Sequence, residues 1–84
     1  MYYVYVLKSK IDKNTYTGYS GDLRARIESH NKGKSKSTKN RAPFELIYYE
    51  AFKNETDARR REQELKGNNY QKEQLFKRIN SSLK

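Results

Sequence analysis

The sequence has no cysteine, no tryptophan, one proline and one histidine among its 84 residues. Without cysteine there is no disulfide framework and no thiolate for a zinc site. A single histidine excludes a metal site built from several imidazoles. Aliphatic side chains are scarce: Leu, Ile, Val and Phe together number 15 of 84. At about 18%, and with high net charge, that lies under the roughly 20% that marks disordered chains. No apolar run approaches the roughly 18 residues of a membrane span. The N-terminus, Met1-Tyr2-Tyr3-Val4-Tyr5-Val6, has neither a basic leader nor a small-residue cleavage site. These absences lead us to expect a cytoplasmic protein with no membrane partner and no obligate protein partner.

What is present is tyrosine and positive charge. Eight tyrosines lie mostly within short β-like runs. Either tyrosine supplies much of the core or the chain is partly disordered. Acids are outnumbered by Lys and Arg, 10 to 19, for a formal net charge of +9. Such a balance favours a polyanionic partner, nucleic acid ahead of an acidic membrane surface.

At this length one domain over residues 1–84 is expected. Residues 2–8 are aromatic and β-branched and read as a strand. A turn over 11–14 leads to a second strand at 15–20, its hairpin partner. Gly18 inside that strand has no side chain to pack, a common mark of close approach by a ligand or another backbone. Ser20-Gly21-Asp22 offers helix N-caps. Leu23 and Ile27 then share one helix face, and Arg26 and His30 an adjacent one. Gly33 suits a left-handed cap. Residues 44–52 form the most strongly β-patterned segment. Both its faces are apolar or aromatic, as in a strand covered on both sides. Asn54 caps a second helix over 55–66, and a third runs from Tyr70 to about Asn80. The order β-β-α-β-α-α predicts an α+β fold, a small antiparallel sheet with helices on it.

Three features break this pattern. Glu62 falls on the apolar stripe that joins Ala58 to Leu65. A carboxylate there needs a partner, an arginine such as Arg59 or a bound cation. A lone carboxylate with water and phosphate oxygens is an ordinary way to hold Mg²⁺. Arg26 and His30, one turn apart, form either a solvated basic face or a phosphate clamp with a proton carrier. Residues 32–41 hold Lys32, Lys34, Lys36, Lys39 and Arg41 and no acid, a loop suited to phosphate contact that weakens with salt. No helix is built to read bases in the major groove, so contacts to the nucleic-acid backbone are expected. Tyr5 and Tyr16 would meet across the hairpin beside Gly18, as core packing or for their hydroxyls.

Together these residues resemble the GIY-YIG nuclease superfamily, its small stand-alone members in particular. The first motif stands as Tyr3-Val4-Tyr5 and the second as Tyr16-Thr17-Gly18, with Tyr5 and Tyr16 eleven residues apart. The family's helix arginine falls on Arg26, the histidine of several members on His30, and the metal-binding glutamate on Glu62. Tyr3 replaces the name-giving glycine and Thr17 the isoleucine. The resemblance covers residues 2 to about 67. It implies a three-stranded antiparallel sheet flanked by helices, and phosphodiester cleavage dependent on one Mg²⁺ or Mn²⁺ ion. Larger members carry a further asparagine after the glutamate, for which Asn68 and Asn69 are the candidates.

The resulting expectation is an endonuclease acting on DNA, branched, damaged or single-stranded forms being candidate substrates. Tyr5, Tyr16, Arg26, His30 and Glu62 would be catalytic, with Glu62 holding the ion. The 32–41 cations, Arg59, Arg60, Arg61 and Gly18 would contact the strand. The competing reading is a module that grips nucleic acid through charge and exposed tyrosines without cleaving it. Docking on an acidic protein or membrane surface explains the charge but not the spacing of the five residues. Tyr3, Tyr48 and Tyr49 are read as core.

Overall fold

A computed structural model describes residues Met1–Lys84. The first strand, β1 (Tyr2–Ser9), turns back through Lys13, whose φ is +64°, into β2 (Thr15–Ser20). Helix α1 (Leu23–Asn31) starts at Asp22, whose carboxylate accepts from the backbone N–H of Ala25. Strand β3 (Phe44–Phe52) follows, then α2 (Glu55–Gly67), α3 (Asn69–Arg78) and a short α4 (Asn80–Leu83). The three strands are antiparallel in the order β2-β1-β3. The α+β class and element order are those expected. The third helix is the exception: it breaks at Ile79 and restarts as α4.

The most β-patterned segment is not the covered one. β1 is the central strand, and Val4 to Leu7 are buried on both of its faces. β3 lies at the sheet edge, with Glu45, Tyr49 and Ala51 exposed. Hydropathy ranks a strand by its side chains, whereas position in the sheet is set by which strand finds two partners. Tyr49 is accordingly half exposed rather than core, while Tyr3 and Tyr48 are half-buried.

Alternation along β1 divides the interior in two. Val4 and Val6 point to α2 and α3, where they pack with Ala58, Leu65 and Leu75. Opposite β3 the register shifts between Val6 and Leu7, so Ile47 and Tyr48 both pack on this cluster. Tyr5 and Leu7 point the other way and pack with Phe44, Leu23, Ile27 and Tyr16 under α1.

Two polar clamps hold the α1 side in place. Ser9 is buried and donates its hydroxyl to the carbonyl of Arg41 at 2.6 Å. It accepts from the N–H groups of Ile11 and Asp12, joining the hairpin turn to the end of the 32–41 loop. Asn31 grips Phe44 from the end of α1, accepting from its N–H at 2.6 Å and donating to its carbonyl at 3.3 Å.

The tightest steric constraint lies between Tyr5 and Gly18, which face each other in the β1–β2 register. A Cβ at residue 18 would land on the Tyr5 hydroxyl and the ring carbon that bears it. Gly18→Ala should therefore cost about 1–3 kcal/mol of stability through overpacking and push Tyr5 out of place. Chemical denaturation checks this. A loss below about 0.5 kcal/mol, the range of an ordinary surface change, would show that Tyr5 has room to move.

Candidate active site

The site forms where the α1 side of the sheet meets α2. Tyr5 comes from the middle of β1 and Tyr16 from β2, their ring centroids 6.5 Å apart. Tyr16 is not opposite Tyr5 but two residues along the same face, paired with Leu7. Arg26 and His30 descend from consecutive turns of α1 onto the Tyr5 hydroxyl. Arg26 Nε donates to Tyr5 Oη at 3.4 Å, and His30 Nε2 lies 3.0 Å from the same oxygen.

His30 has no exposed surface. Its ring stands edge-on among Tyr5, Tyr16 and Phe44, with centroids at 6.0, 5.0 and 5.9 Å. Its other nitrogen, Nδ1, is 2.8 Å from Thr38 Oγ1. Thr38 belongs to the 32–41 loop and is also fully buried, so this loop is seated on the site rather than waving beside it. Nothing in the sequence pattern marks Thr38; a threonine among lysines reads as loop.

Glu62 reaches the site because α2 crosses the β2 edge. Arg59 lies 4.8 Å from the centre of the Tyr19 ring, on the α2 face of the sheet. Lys66, two turns later, lies 5.7 Å from the centre of Tyr16, on the α1 face. Between them Glu62 is about one-fifth exposed, and its Oε2 is held by Lys66 Nζ at 3.0 Å. The partner of Glu62 is thus Lys66, not Arg59, which pairs with Glu55.

The electrostatics follow from burial among cations. Burial pushes the Tyr5 hydroxyl above its ordinary pKa, against the pull of Arg26, while Tyr16 and Glu62 add to the rise. Arg26 is held more firmly charged, first through its bond to Tyr5. Burial lowers the His30 pKa and the nearby Arg26 charge lowers it further. His30 is therefore neutral at neutral pH, and the pair rests as tyrosine and imidazole.

A family model described as the GIY-YIG catalytic domain matches residues 1–77. The chain belongs to the GIY-YIG family. Membership implies nuclease-type function on nucleic acid. A UPF0213 protein of Staphylococcus haemolyticus is 44% identical over 79 residues, 93% of each chain. One of Clostridium perfringens is 45% identical over 67 residues, 79% of this chain and 71% of that one. The solution NMR structure of a UPF0213 protein from Bacillus halodurans has a TM-score of 0.58 and 42% identity. It covers 92% of this chain and 84% of that chain.

Within this GIY-YIG chain the structure brings Tyr5, Tyr16, Arg26, His30 and Glu62 together. It treats the residues expected to contact a strand unevenly. Lys32, Lys34, Lys36 and Lys39 are all exposed. Arg41 is bound to Asp12 at 2.6 Å and lies 5.6 Å from the centre of the Phe44 ring. Arg60 faces Asp57 at 3.9 Å. Arg61 turns to the opposite side of the sheet, onto Glu50 at 3.0 Å and Gln71 at 3.3 Å. Glu50 also accepts from Tyr48, whose pKa burial and that carboxylate push up to about 12. Gly18 is buried against Tyr5, so the space it frees is filled by that ring and not left for a ligand. Asn68 spends its side chain on the first N–H groups of α3.

A histidine whose folded pKa lies below its unfolded value binds its proton more weakly when folded. The folded state then loses stability as pH falls from about the unfolded value of 6.5 through the lower folded value. NMR titration of the single histidine should give a pKa below 6.5. Stability should decline across the same window, above the range where carboxylates titrate. A pKa at or above 6.5 would contradict the buried, cation-flanked imidazole.

Proposed function

We propose that the protein is a divalent-metal-dependent endonuclease that hydrolyses DNA phosphodiesters, branched, damaged or single-stranded forms included. The observation that carries this reading is the Tyr5 hydroxyl. It is buried, approached by Arg26 at 3.4 Å and His30 at 3.0 Å, and within the field of Glu62. A tyrosine kept only for packing needs no such surround.

No three metal-ligating side chains converge anywhere in the chain. Glu62 is instead a single carboxylate, about one-fifth exposed, with one of its two oxygens engaged by Lys66. That donor set fits Mg²⁺ or Mn²⁺ held by one carboxylate, waters and substrate phosphate oxygens. When bound, the ion supplies Lewis-acid polarisation of the phosphate and stabilises the departing oxygen.

The chain's own residues supply the rest. Tyr5 Oη, once ionised, takes the proton of a water molecule whose oxygen bonds to phosphorus as the bond to the leaving nucleotide oxygen breaks. Arg26 opposes the rise that burial imposes on Tyr5 and is placed to meet charge growing on the phosphoryl oxygens. His30 fixes the far side of the Tyr5 hydroxyl. Tyr16 orients through its own hydroxyl. The lysines of the 32–41 loop, seated on the site through Thr38, hold the strand by its phosphates.

A cleavage panel of DNA and RNA structures with Mg²⁺, Mn²⁺ or EDTA tests the reaction. We expect nicking of DNA that EDTA abolishes. Glu62→Ala and Arg26→Ala should lose at least about 10²-fold, and Tyr5→Phe about 10²–10⁴-fold, with the fold intact. Wild-type nicking by Glu62→Ala would sink the reading. Salt-sensitive binding with no product under any metal would favour the non-catalytic module instead.

The grip is tested separately. For duplex DNA, the slope of log affinity against log salt becomes shallower by about 0.9 for each phosphate that is no longer neutralised. Replacing Lys34, Lys36 and Lys39 with alanine should flatten that slope by one such step per phosphate released. Arg61→Ala should leave the slope alone and lower stability, since Arg61 serves Glu50. The reverse pattern would move the binding surface to α2.

A further inference from the structure

Lys66 stands inside the candidate site, and no step of the proposed reaction uses it. It lies in the last turn of α2, four residues after Glu62. Its ammonium is 3.0 Å from Glu62 Oε2 and 5.7 Å from the centre of the Tyr16 ring. The Lys66 side chain is about half exposed. The ammonium thus rests between an anion and an aromatic face, both groups of the site, on a stem that is free to turn.

An acid four residues ahead of a lysine is an ordinary helix pair. This acid differs from its neighbours in how little holds it. Glu50 and Glu55 each accept from a tyrosine hydroxyl and from an arginine. Glu62 has Lys66 alone, through one oxygen. A divalent ion that takes this carboxylate therefore stands beside an ammonium group. A unit charge facing a divalent ion across a few ångströms of solvated space weakens its binding by about 10-fold. Substrate removes the conflict. Its phosphate oxygens are anionic partners for the ammonium, and they complete the shell of an ion held by one carboxylate.

We infer that Lys66 makes metal binding conditional on substrate: in the free protein it holds Glu62 against a divalent cation, and a substrate phosphate draws the ammonium away. Metal and substrate then tighten each other by the same factor. The coupling to substrate rests on the nuclease reading; the competition for Glu62 needs no cleavage.

The probe is Mn²⁺ at low ionic strength, where screening is least. Its binding to the free protein is read from paramagnetic loss of backbone amide signals around residue 62, with Glu62→Gln as the blank. Lys66→Met keeps an unbranched, helix-forming side chain and removes the charge. It should bind Mn²⁺ about 10-fold more tightly than the wild type. Lys66→Gln should do the same, and Lys66→Arg should match the wild type. Lys53→Met removes an equal charge ahead of α2 and should change the affinity by less than about twofold. A single-stranded DNA oligonucleotide, added in a Tyr5→Phe background to suppress cleavage, should tighten Mn²⁺ binding. That gain should be about 10-fold smaller when Lys66→Met is also present, because the competitor is already gone.

Unchanged or weaker Mn²⁺ binding by Lys66→Met overturns the inference and leaves Lys66 as a helix pair or a support for Glu62. Absence of signal loss around Glu62 in both proteins overturns it as well, and so does a gain from DNA that Lys66→Met leaves unaltered. Tighter Mn²⁺ binding by Lys66→Met, with no cleavage by the wild type under any metal, would sink the nuclease reading and leave the competition for Glu62 standing.

Discussion

Residue 18 has no side chain, and Tyr5 occupies the space a side chain would take. That close approach fixes where the Tyr5 hydroxyl stands, and the rest of the site is arranged on it. Arg26 and His30 come from successive turns of α1 because both must reach one oxygen. The helix can deliver them because Leu23 and Ile27, on its adjacent face, are packed on the same cluster as Tyr5 and Leu7. Asn31 then pins the end of the helix to the start of β3, and Phe44 there closes one wall around the imidazole. A shift of Tyr5 large enough to break its two hydrogen bonds would also open the aromatic box in which His30 is kept neutral.

Much of this is legible in the sequence because it rests on spacing. The period of two in β1 separates Val4 and Val6 from Tyr5 and Leu7. The period near four in α1 separates Leu23 and Ile27 from Arg26 and His30. Glu62 stands out because it interrupts an apolar stripe. Spacing does not reveal anything that depends on elements meeting in space. Lys66 as partner to Glu62 lies within reach on the same helix, but so does Arg59, and only the tilt of α2 across the β2 edge chooses between them. Thr38 is invisible by pattern, since its burial depends on a loop closing over α1. β3 reads as a covered strand and lies at the edge, because side-chain hydropathy does not report which strand is central.

The division of charge has the same origin. Read as a string, Arg59-Arg60-Arg61 is as basic as the 32–41 loop. Folded, the three arginines each meet a carboxylate, Glu55, Asp57 or Glu50. Helix spacing puts acids three or four residues from bases on α2, and a sheet partner supplies Glu50. The loop has no acid in sequence and none is brought to Lys32, Lys34, Lys36 or Lys39 by the fold. Uncompensated charge is what attracts a polyanion over distance. The loop thus brings four such lysines beside the site, although cations elsewhere, Lys10, Lys13, Lys53 and Lys77 among them, are also without an acid partner.

A chain this short cannot give separate cores to stability and chemistry, and its scarcity of aliphatic side chains sharpens the problem. The sheet solves it by using its two faces differently. Val4 and Val6 meet Ala58, Leu65 and Leu75 in an apolar cluster that needs no hydrogen bonds. On the other face, Tyr5, His30 and Thr38 form a buried polar row, which stabilises only if every member finds its partner. Tyrosine bridges the two demands, since its ring fills volume that leucine would otherwise fill and its hydroxyl can be aimed. Tyr48 shows the packing use, its hydroxyl spent on Glu50 in a closed ion-pair network. Tyr5 shows the other, with its oxygen held between a guanidinium and an imidazole. The low aliphatic content that places the sequence near the disorder boundary is thus a consequence of building one wall of the core from groups that carry protons.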